Sequence, residues 1–323
     1  MKIFFSGVAK SGRDKLQEGF LEICKKNGKT TRVFNIGDMM FEKAKNIGLD
    51  IEFAKILEIP ESTLKSLRSA VFEEIINSKL KEDVILINSH SSFWWKNGPM
   101  HAFELHYLNL LKPDVYVTVV DDPTKIIKRI EEDKHWGKGV ISLEELAIWQ
   151  ELEIYTTEIL AELQGKKHFA VYSFFEPKYF YDLLFSKKKI AYISFPITHV
   201  SKQSKQKLEE FLKEVSKFVT PIIPAELKLS KEEKLNKKII ALLNNQLVRR
   251  DFRFIKQSDF VIVYLPELIY SSGVDAEINY AHSINKKVFI VFPKKKVSPF
   301  SKYYADKIFY STKELIKQLG AVC

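Results

Sequence analysis

Lys2-Ile3-Phe4-Phe5-Ser6-Gly7-Val8-Ala9-Lys10-Ser11-Gly12-Arg13-Asp14 opens the chain with an apolar run that breaks at a glycine and passes through a short polar loop. From about Asp14 to Lys26, the residues Leu16, Phe20, Ile23 and Cys24 recur at helical spacing on one face. The same opening returns at Lys189-Ile190-Ala191-Tyr192-Ile193-Ser194-Phe195. A helix from about Ser204 to Phe218 follows it, with Leu208, Phe211, Leu212, Val215 and Phe218 as its stripe. Further β-rich runs lie at residues 31–36, 84–88, 115–120, 168–174, 260–264 and 288–292, with helical patterns between them. Strands alternating with helices predict parallel sheets covered on both faces.

At about 150 residues per domain, 323 residues make two domains. Residues 177–188 close one unit before the next begins, so the expected architecture is two doubly wound α/β domains, 1–184 and 185–323. Apolar residues make up 46% and charged residues 28%, which excludes a disordered or collagen-like chain. No apolar run reaches the roughly 18 residues that cross a bilayer, and the start is too short for a signal-peptide core. Two cysteines, Cys24 and Cys323, argue against a disulfide framework and a cysteine-based zinc site. A cytoplasmic protein is expected. Basic residues number 51 and acidic residues 41, a net charge of +10 that suits anionic ligands. The lysines are spread along the chain rather than gathered on one aromatic-laced helix face, so nucleic acid is not the expected partner.

Gly7 and Gly12 have the G-x-x-x-x-G spacing of a phosphate loop at a helix N-terminus, where backbone N–H groups and the helix dipole favour phosphate. The motif then asks for Lys and Ser/Thr, and here Arg13 and Asp14 stand instead. His90, His101 and His106 have no metal-ligand spacing, and Trp94-Trp95 reads as a base-stacking pair or as packing.

The order of segments resembles archaeal-type adenylate kinases over roughly residues 1–175. The loop is followed by Asn35-Ile36-Gly37-Asp38-Met39-Met40-Phe41-Glu42-Lys43-Ala44, then by Asn88-Ser89-His90 where that family has Asp-Thr-His. Val120-Asp121-Asp122-Pro123-Thr124 then leads through Arg129 toward the lid. Those kinases carry several lid arginines, whereas Glu131-Glu132-Asp133-Lys134-His135-Trp136-Gly137-Lys138 has none. Phosphoryl transfer depends on positioning and charge neutralisation, so the resemblance implies a nucleotide-binding or structural relic, with Gly7, Gly12 and Arg13 as its nucleotide contacts.

In the C-terminal half, Arg250-Asp251-Phe252-Arg253 begins a helical stretch that ends at Asp259, and Phe260-Val261-Ile262-Val263-Tyr264-Leu265-Pro266 reads as a buried strand. Ser271-Ser272-Gly273-Val274-Asp275-Ala276-Glu277 then opens a new helix. Glu277 thus falls near the carboxyl end of a strand, where parallel sheets place ligands. An acidic residue early in a helix also complements the dipole.

This order resembles the nucleoside 2-deoxyribosyltransferases and the related 2′-deoxynucleoside 5′-monophosphate N-glycosidases over roughly residues 187–323. The resemblance implies Glu277 as a nucleophile toward C1′ and Asp251 as the acid that holds or protonates the base. Tyr192 becomes a wall of the site or a core tyrosine. The transferases have an aspartate six residues before the nucleophile, and the glycosidases a serine; here it is Ser271. Ser271, Ser272 and Gly273 are therefore expected at a 5′-phosphate, with Ser194, Thr198 and His199 added from the loop after the strand. Pro196 departs from that family's glycine-rich loop.

The resemblance implies hydrolysis of a (deoxy)nucleoside 5′-monophosphate without metal or cofactor, in a homo-oligomer. Residues 298–304 would reach a site, their own or a neighbour's. Sugar transfer between bases, a nucleotide sensor without turnover, and a kinase using Arg13 are the competing expectations.

Overall fold

Residues 84–87 and 115–117 are apolar without alternation, so the strands they form must be covered on both faces. The computed structural model describes residues 1–49, 51, 58–95, 98–134, 136, 139–197, 201–224, 236–267, 271–293 and 297–322. The chain divides into two compact units, one holding Met1–Tyr181 and Leu229–Leu243, the other Asp182–Lys228 and Asn244–Cys323.

The first unit begins with β1 (Lys2–Ser6), α1 (Arg13–Lys26), β2 (Thr31–Asn35), α2 (Ile36–Asn46), α3 (Glu61–Asn77) and β3 (Val84–Asn88). A hairpin of β4 (Ser92–Trp95) and β5 (Gly98–His101) leads to α4 (Leu105–Leu111) and β6 (Val115–Val120). Then come α5 (Pro123–Glu131), α6 (Leu143–Leu163), β7 (Lys167–Tyr172) and α7 (Pro177–Phe185), which passes into the second unit at Asp182. The sheet order is β2-β3-β1-β6-β7, all parallel. β1 is central, and the chain leaves it on one side to β2 and β3 and on the other to β6 and β7, so the switch of direction falls beside β1. Local chemistry sets the helix starts: Asp122 Oδ1 accepts Thr124 N–H at 2.8 Å with Pro123 in the first turn, and Ser142 and Glu145 form a reciprocal capping box.

The second unit contains β8 (Ile190–Ser194), α8 (Lys202–Val215), β9 (Thr220–Ile222), α9 (Lys237–Gln257) from Asn244 onward and β10 (Phe260–Tyr264). It continues with α10 (Ser272–Ser283), β11 (Lys287–Val291), α11 (Pro299–Tyr304), β12 (Lys307–Phe309) and α12 (Thr312–Val322). Its sheet order is β12-β11-β10-β8-β9, again all parallel, with the switch between β8 and β10. Strand alternation divides β8 between two faces. Ala191 and Ile193 join Leu208, Phe211, Val215 and Tyr264 in a core under α8, while Tyr192 and Ser194 point to the opposite face.

Both sheets have the α/β architecture expected. The hairpin β4–β5 and the short strands β9 and β12 have no counterpart in the sequence reading. β9 is three residues long and contains Pro221, which an edge strand accommodates and which erases the apolar period. Among the described residues no helix is long and apolar enough to cross a membrane.

Candidate active site

Two hydroxyls on one face of β8 meet one carboxylate from α10. Tyr192 Oη donates to Glu277 Oε1 at 2.8 Å, and Ser194 Oγ donates to Oε2 at 2.5 Å. Residues two apart on a strand share a face, roughly 6–7 Å from each other, which lets them straddle a carboxylate. Glu277 is the sixth residue of α10, whose start is set by Ser271: its Oγ accepts Val274 N–H at 3.4 Å. The helix follows β10, so the group sits at the β8/β10 switch, where doubly wound sheets bind ligands.

The carboxylate is nearly removed from water, at 8% exposure, and Tyr192 and Ser194 are at 0%. Burial disfavours its charged form and pushes Glu277 up to about 7, against the pull of the Ser194 and Tyr192 hydroxyls; Asp251 raises it further and Arg250 lowers it. Asp251 lies near the end of α9 and is also raised by burial, while Arg250 lowers it by donating from Nε and Nη2 to Oδ1 at 2.9 and 2.8 Å. Tyr192 is pushed well above its usual value by burial and by Glu277 and Asp251, so it remains a donor. The cluster is thus two coupled carboxyls with raised proton affinity, one neutral phenol and one guanidinium.

Glu277, Asp251, Tyr192 and Ser194, read separately from the sequence, come together here. Ser194 is placed on the carboxylate. Ser271 is the helix cap, and Ser272 and Gly273 are exposed in the first turn beyond it. Thr198 and His199 lie outside the described residues. Residues 298–304 include α11, which carries Phe300 at 76% and Tyr303 at 72% exposure. A cavity of about 200 Å³ beside the ends of β8 and β10 is lined by Phe195, Pro196, Leu208, Tyr264 and Pro266. Leu208 and Tyr264 belong to the α8 face, so this cavity and Glu277 are on opposite sides of the sheet.

Arg250 was not singled out by the sequence reading, although it directly precedes Asp251. No group of three His, Cys, Asp or Glu side chains among the described residues is placed to hold a metal.

In the first unit the loop between β1 and α1 has Gly7 at φ 153° and Gly12 at φ 87°. A Cβ on Gly7 would meet Val119 O at 2.8 Å, and one on Gly12 would meet Ser173 Cβ at 2.7 Å. Arg13 turns inward: it donates to Gly7 O at 3.3 Å and to Ser89 O, and lies 3.4 Å from His90 Nε2. Burial beside Arg13 holds His90 well below its usual range, so Nε2 is an acceptor. Lys10 pairs with Asp133, and Arg129 Nη2 pairs with Asp121 at 2.5 Å. Lys10 and Arg129 are thus paired with carboxylates inside the unit, and Arg13 is taken up by backbone carbonyls.

Beneath the loop, Glu153 on α6 is at 0% exposure. It accepts from Gly7 N at 3.2 Å, Ser91 N at 2.9 Å, and Ser92 N and Oγ at 2.7 Å each. This anchor was missed, although its position is legible: Leu146, Trp149, Gln150, Glu153, Thr157 and Leu160 recur at helical spacing as the buried stripe of α6.

Among known proteins, a family model described as an AAA domain matches residues 21–147. The adenylate kinase of Thermococcus kodakarensis is 30% identical over 146 residues, 45% of this chain and 71% of that protein. That of Methanothermobacter thermautotrophicus is 27% identical over 131 residues, 41% of this chain and 70% of the relative. That of Pyrobaculum aerophilum is 27% identical over 156 residues, 48% and 76% respectively. A solved structure described for the 2-deoxyribosyltransferase of Bacillus psychrosaccharolyticus matches at a TM-score of 0.33 and 15% identity, over 40% of this chain and 95% of that one. A conserved protein from Enterococcus faecalis matches at 0.31 and 14%, over 42% and 99%.

Proposed function

The chain belongs to the adenylate kinase family through its N-terminal half, and from that premise we propose an enzyme of nucleotide metabolism whose chemistry is carried out in the second unit, as an N-glycosidase acting on a (deoxy)nucleoside 5′-monophosphate. The observation that carries the reading is the Glu277 carboxylate, buried at a sheet switch point and held by Tyr192 and Ser194.

In its ionised form Glu277 attacks C1′ of the sugar. The C1′–N bond breaks with its electron pair going to the base, which takes up a proton from Asp251 or solvent. A carboxylate suits this step because the transition state resembles an oxocarbenium ion, which negative charge beside C1′ stabilises and then traps as an ester. Water attacks C1′ of the ester, loses a proton and frees the Glu277 carboxylate with the sugar phosphate. A second base in place of water makes the same site a transferase. Ser271, Ser272 and Gly273 at the start of α10 are the proposed 5′-phosphate contacts, since hydroxyls and helix N–H groups favour an anion.

A second reading, nucleotide binding without phosphoryl transfer, applies to the first unit. It is favoured by the ion pairs of Lys10 and Arg129 with aspartates and by the hydrogen bonds of Arg13 to backbone carbonyls, which engage these side chains where a transferring phosphoryl group would need them.

Incubating the protein with a panel of nucleoside monophosphates and separating products by chromatography tests both. Free base that disappears with Glu277→Ala supports the glycosidase, and no release from any member overturns it. Formation of ADP from ATP and a monophosphate, abolished by Arg13→Ala, overturns the reading of the first unit.

A further inference from the structure

The two hydroxyls of β8 grip different oxygens of one carboxylate, and they are not equivalent in what the sequence led one to expect of them. We propose that Ser194 is a positioning residue for Glu277: its hydroxyl locks the rotation of the carboxylate, so that the attacking oxygen is already aimed when the sugar arrives. This rests on the glycosidase reading above.

Three observations carry it. Ser194 is entirely buried, so its hydroxyl faces no solvent-borne ligand, and it lies 2.5 Å from Oε2. The backbone that holds it is part of the ladder, with Ser194 opposite Val263 of β10 in the middle of the sheet. Its partner hydroxyl, Tyr192, takes the other oxygen.

One hydroxyl alone leaves a carboxylate free to turn about its last bond, a broad torsion with low barriers. Two donors on separate oxygens remove that freedom, and each oxygen keeps a lone pair for chemistry. The second donor is also neutral. A cation in its place would cancel the charge that the oxocarbenium-like transition state needs, whereas a hydroxyl supports ionisation and leaves the charge intact. Among the described residues the other charged groups acting on Glu277 are Asp251 and Arg250, both on α9; they bear on its charge, not on its rotation.

The test compares wild type, Ser194→Ala and Ser194→Thr, the last retaining a hydroxyl. Glutamate labelled with ¹³C at Cδ is titrated by NMR, with Glu277→Gln identifying the signal, and pH profiles of base release are recorded alongside. Circular dichroism establishes that each variant is folded. Expected for Ser194→Ala is a Glu277 midpoint about one pH unit higher, a tenfold change in its ionisation constant. In turnover, kcat falls at least tenfold with KM within about twofold, the acid limb moves by the same unit, and Ser194→Thr recovers most of both.

An unmoved midpoint in folded Ser194→Ala overturns the proposal. So does a raised KM with unchanged kcat, which would make Ser194 a substrate contact. If no base is released by wild type while the midpoint still shifts, the grip on Glu277 stands and the glycosidase reading is what fails.

Discussion

Arg13 donates to the backbone carbonyl of Ser89 across 76 residues of sequence, turning the side chain that follows the glycine loop into an internal strut. The contact ties the start of α1 to the end of β3. A guanidinium has five N–H donors in a rigid fork, so a single arginine can brace Gly7, Ser89 and His90 together, which a lysine ammonium on a flexible stem does less well.

Removing that strut leaves two carbonyls and the buried Glu153 without their cation. Arg13→Ala is expected to destabilise the first unit by about 2–4 kcal/mol, the range for breaking one side of a buried polar network. All four tryptophans, Trp94, Trp95, Trp136 and Trp149, belong to this unit, so tryptophan fluorescence during urea unfolding reports it alone. An unchanged midpoint would show the strut to be dispensable.

Glu153→Ala removes the acceptor of three backbone N–H groups and one hydroxyl, and is expected to cost about 3–5 kcal/mol by the same measurement. Glu153→Gln keeps one acceptor oxygen and should cost less. Equal losses from the two would argue that packing, not hydrogen bonding, is what the residue provides.

Glu277 makes the second unit sensitive to pH in a direction opposite to that of a salt-bridged acid. Its midpoint is raised from 4.5 to about 7, so between those values the folded state holds a proton that the unfolded state releases. Stability contributed by this group is therefore lost as pH rises from about 4.5 to 7, by about 3 kcal/mol in total. Glu277→Gln has no proton to lose, and the Tyr192 or Ser194 hydroxyl can turn to accept from its amide. Calorimetry should show the variant gaining on wild type across that window, to a difference of about 2–3 kcal/mol near pH 8. A difference independent of pH would mean that Glu277 does not titrate there.

Tyr192→Phe removes the other donor to the same carboxylate. Since the Tyr192 hydrogen bond lowers the Glu277 midpoint, its loss should carry the acid limb of base release to higher pH, because the nucleophile must be ionised to attack. A limb that stays in place while overall rate falls would assign Tyr192 to the sugar rather than to Glu277.

Gly12→Ala tests the loop geometry. At φ 87° a side chain is strained, and the added Cβ would lie 2.7 Å from Ser173 Cβ, with backbone on both sides to move. A loss of several kcal/mol in the urea transition is expected. Wild-type stability in this variant would show that the loop has another accessible conformation.

Much of the fold could be read directly. Residues 2–6, 84–88, 115–120 and 260–264 were identified as strands with the ends that β1, β3, β6 and β10 have, because buried parallel strands are apolar runs bounded by turn residues. The hairpin Ser92–Trp95 with Gly98–His101 escaped notice, since Trp, Pro, Met and His carry no alternation there. Glu277 stood out by its place early in a helix that follows a strand, and Asp251 by the resemblance to the deoxyribosyltransferases. Ser194 was legible as a residue of the site but not as a donor to Glu277. Nothing local distinguishes a serine at the end of a strand that faces a loop from one that faces a helix.

Sequence by itself thus determined the main strands, their order and the two-unit α/β plan, because these follow from the periodicity of apolar burial along a continuous stretch. Only the tertiary structure decided that Arg13 is an internal brace, that Glu153 anchors Gly7, and that Tyr192 and Ser194 share one carboxylate. Those contacts join residues 76, 146, 85 and 83 positions apart. The order of strands in a sheet brings such residues within hydrogen-bonding reach, and a pattern of near neighbours carries no information about that order.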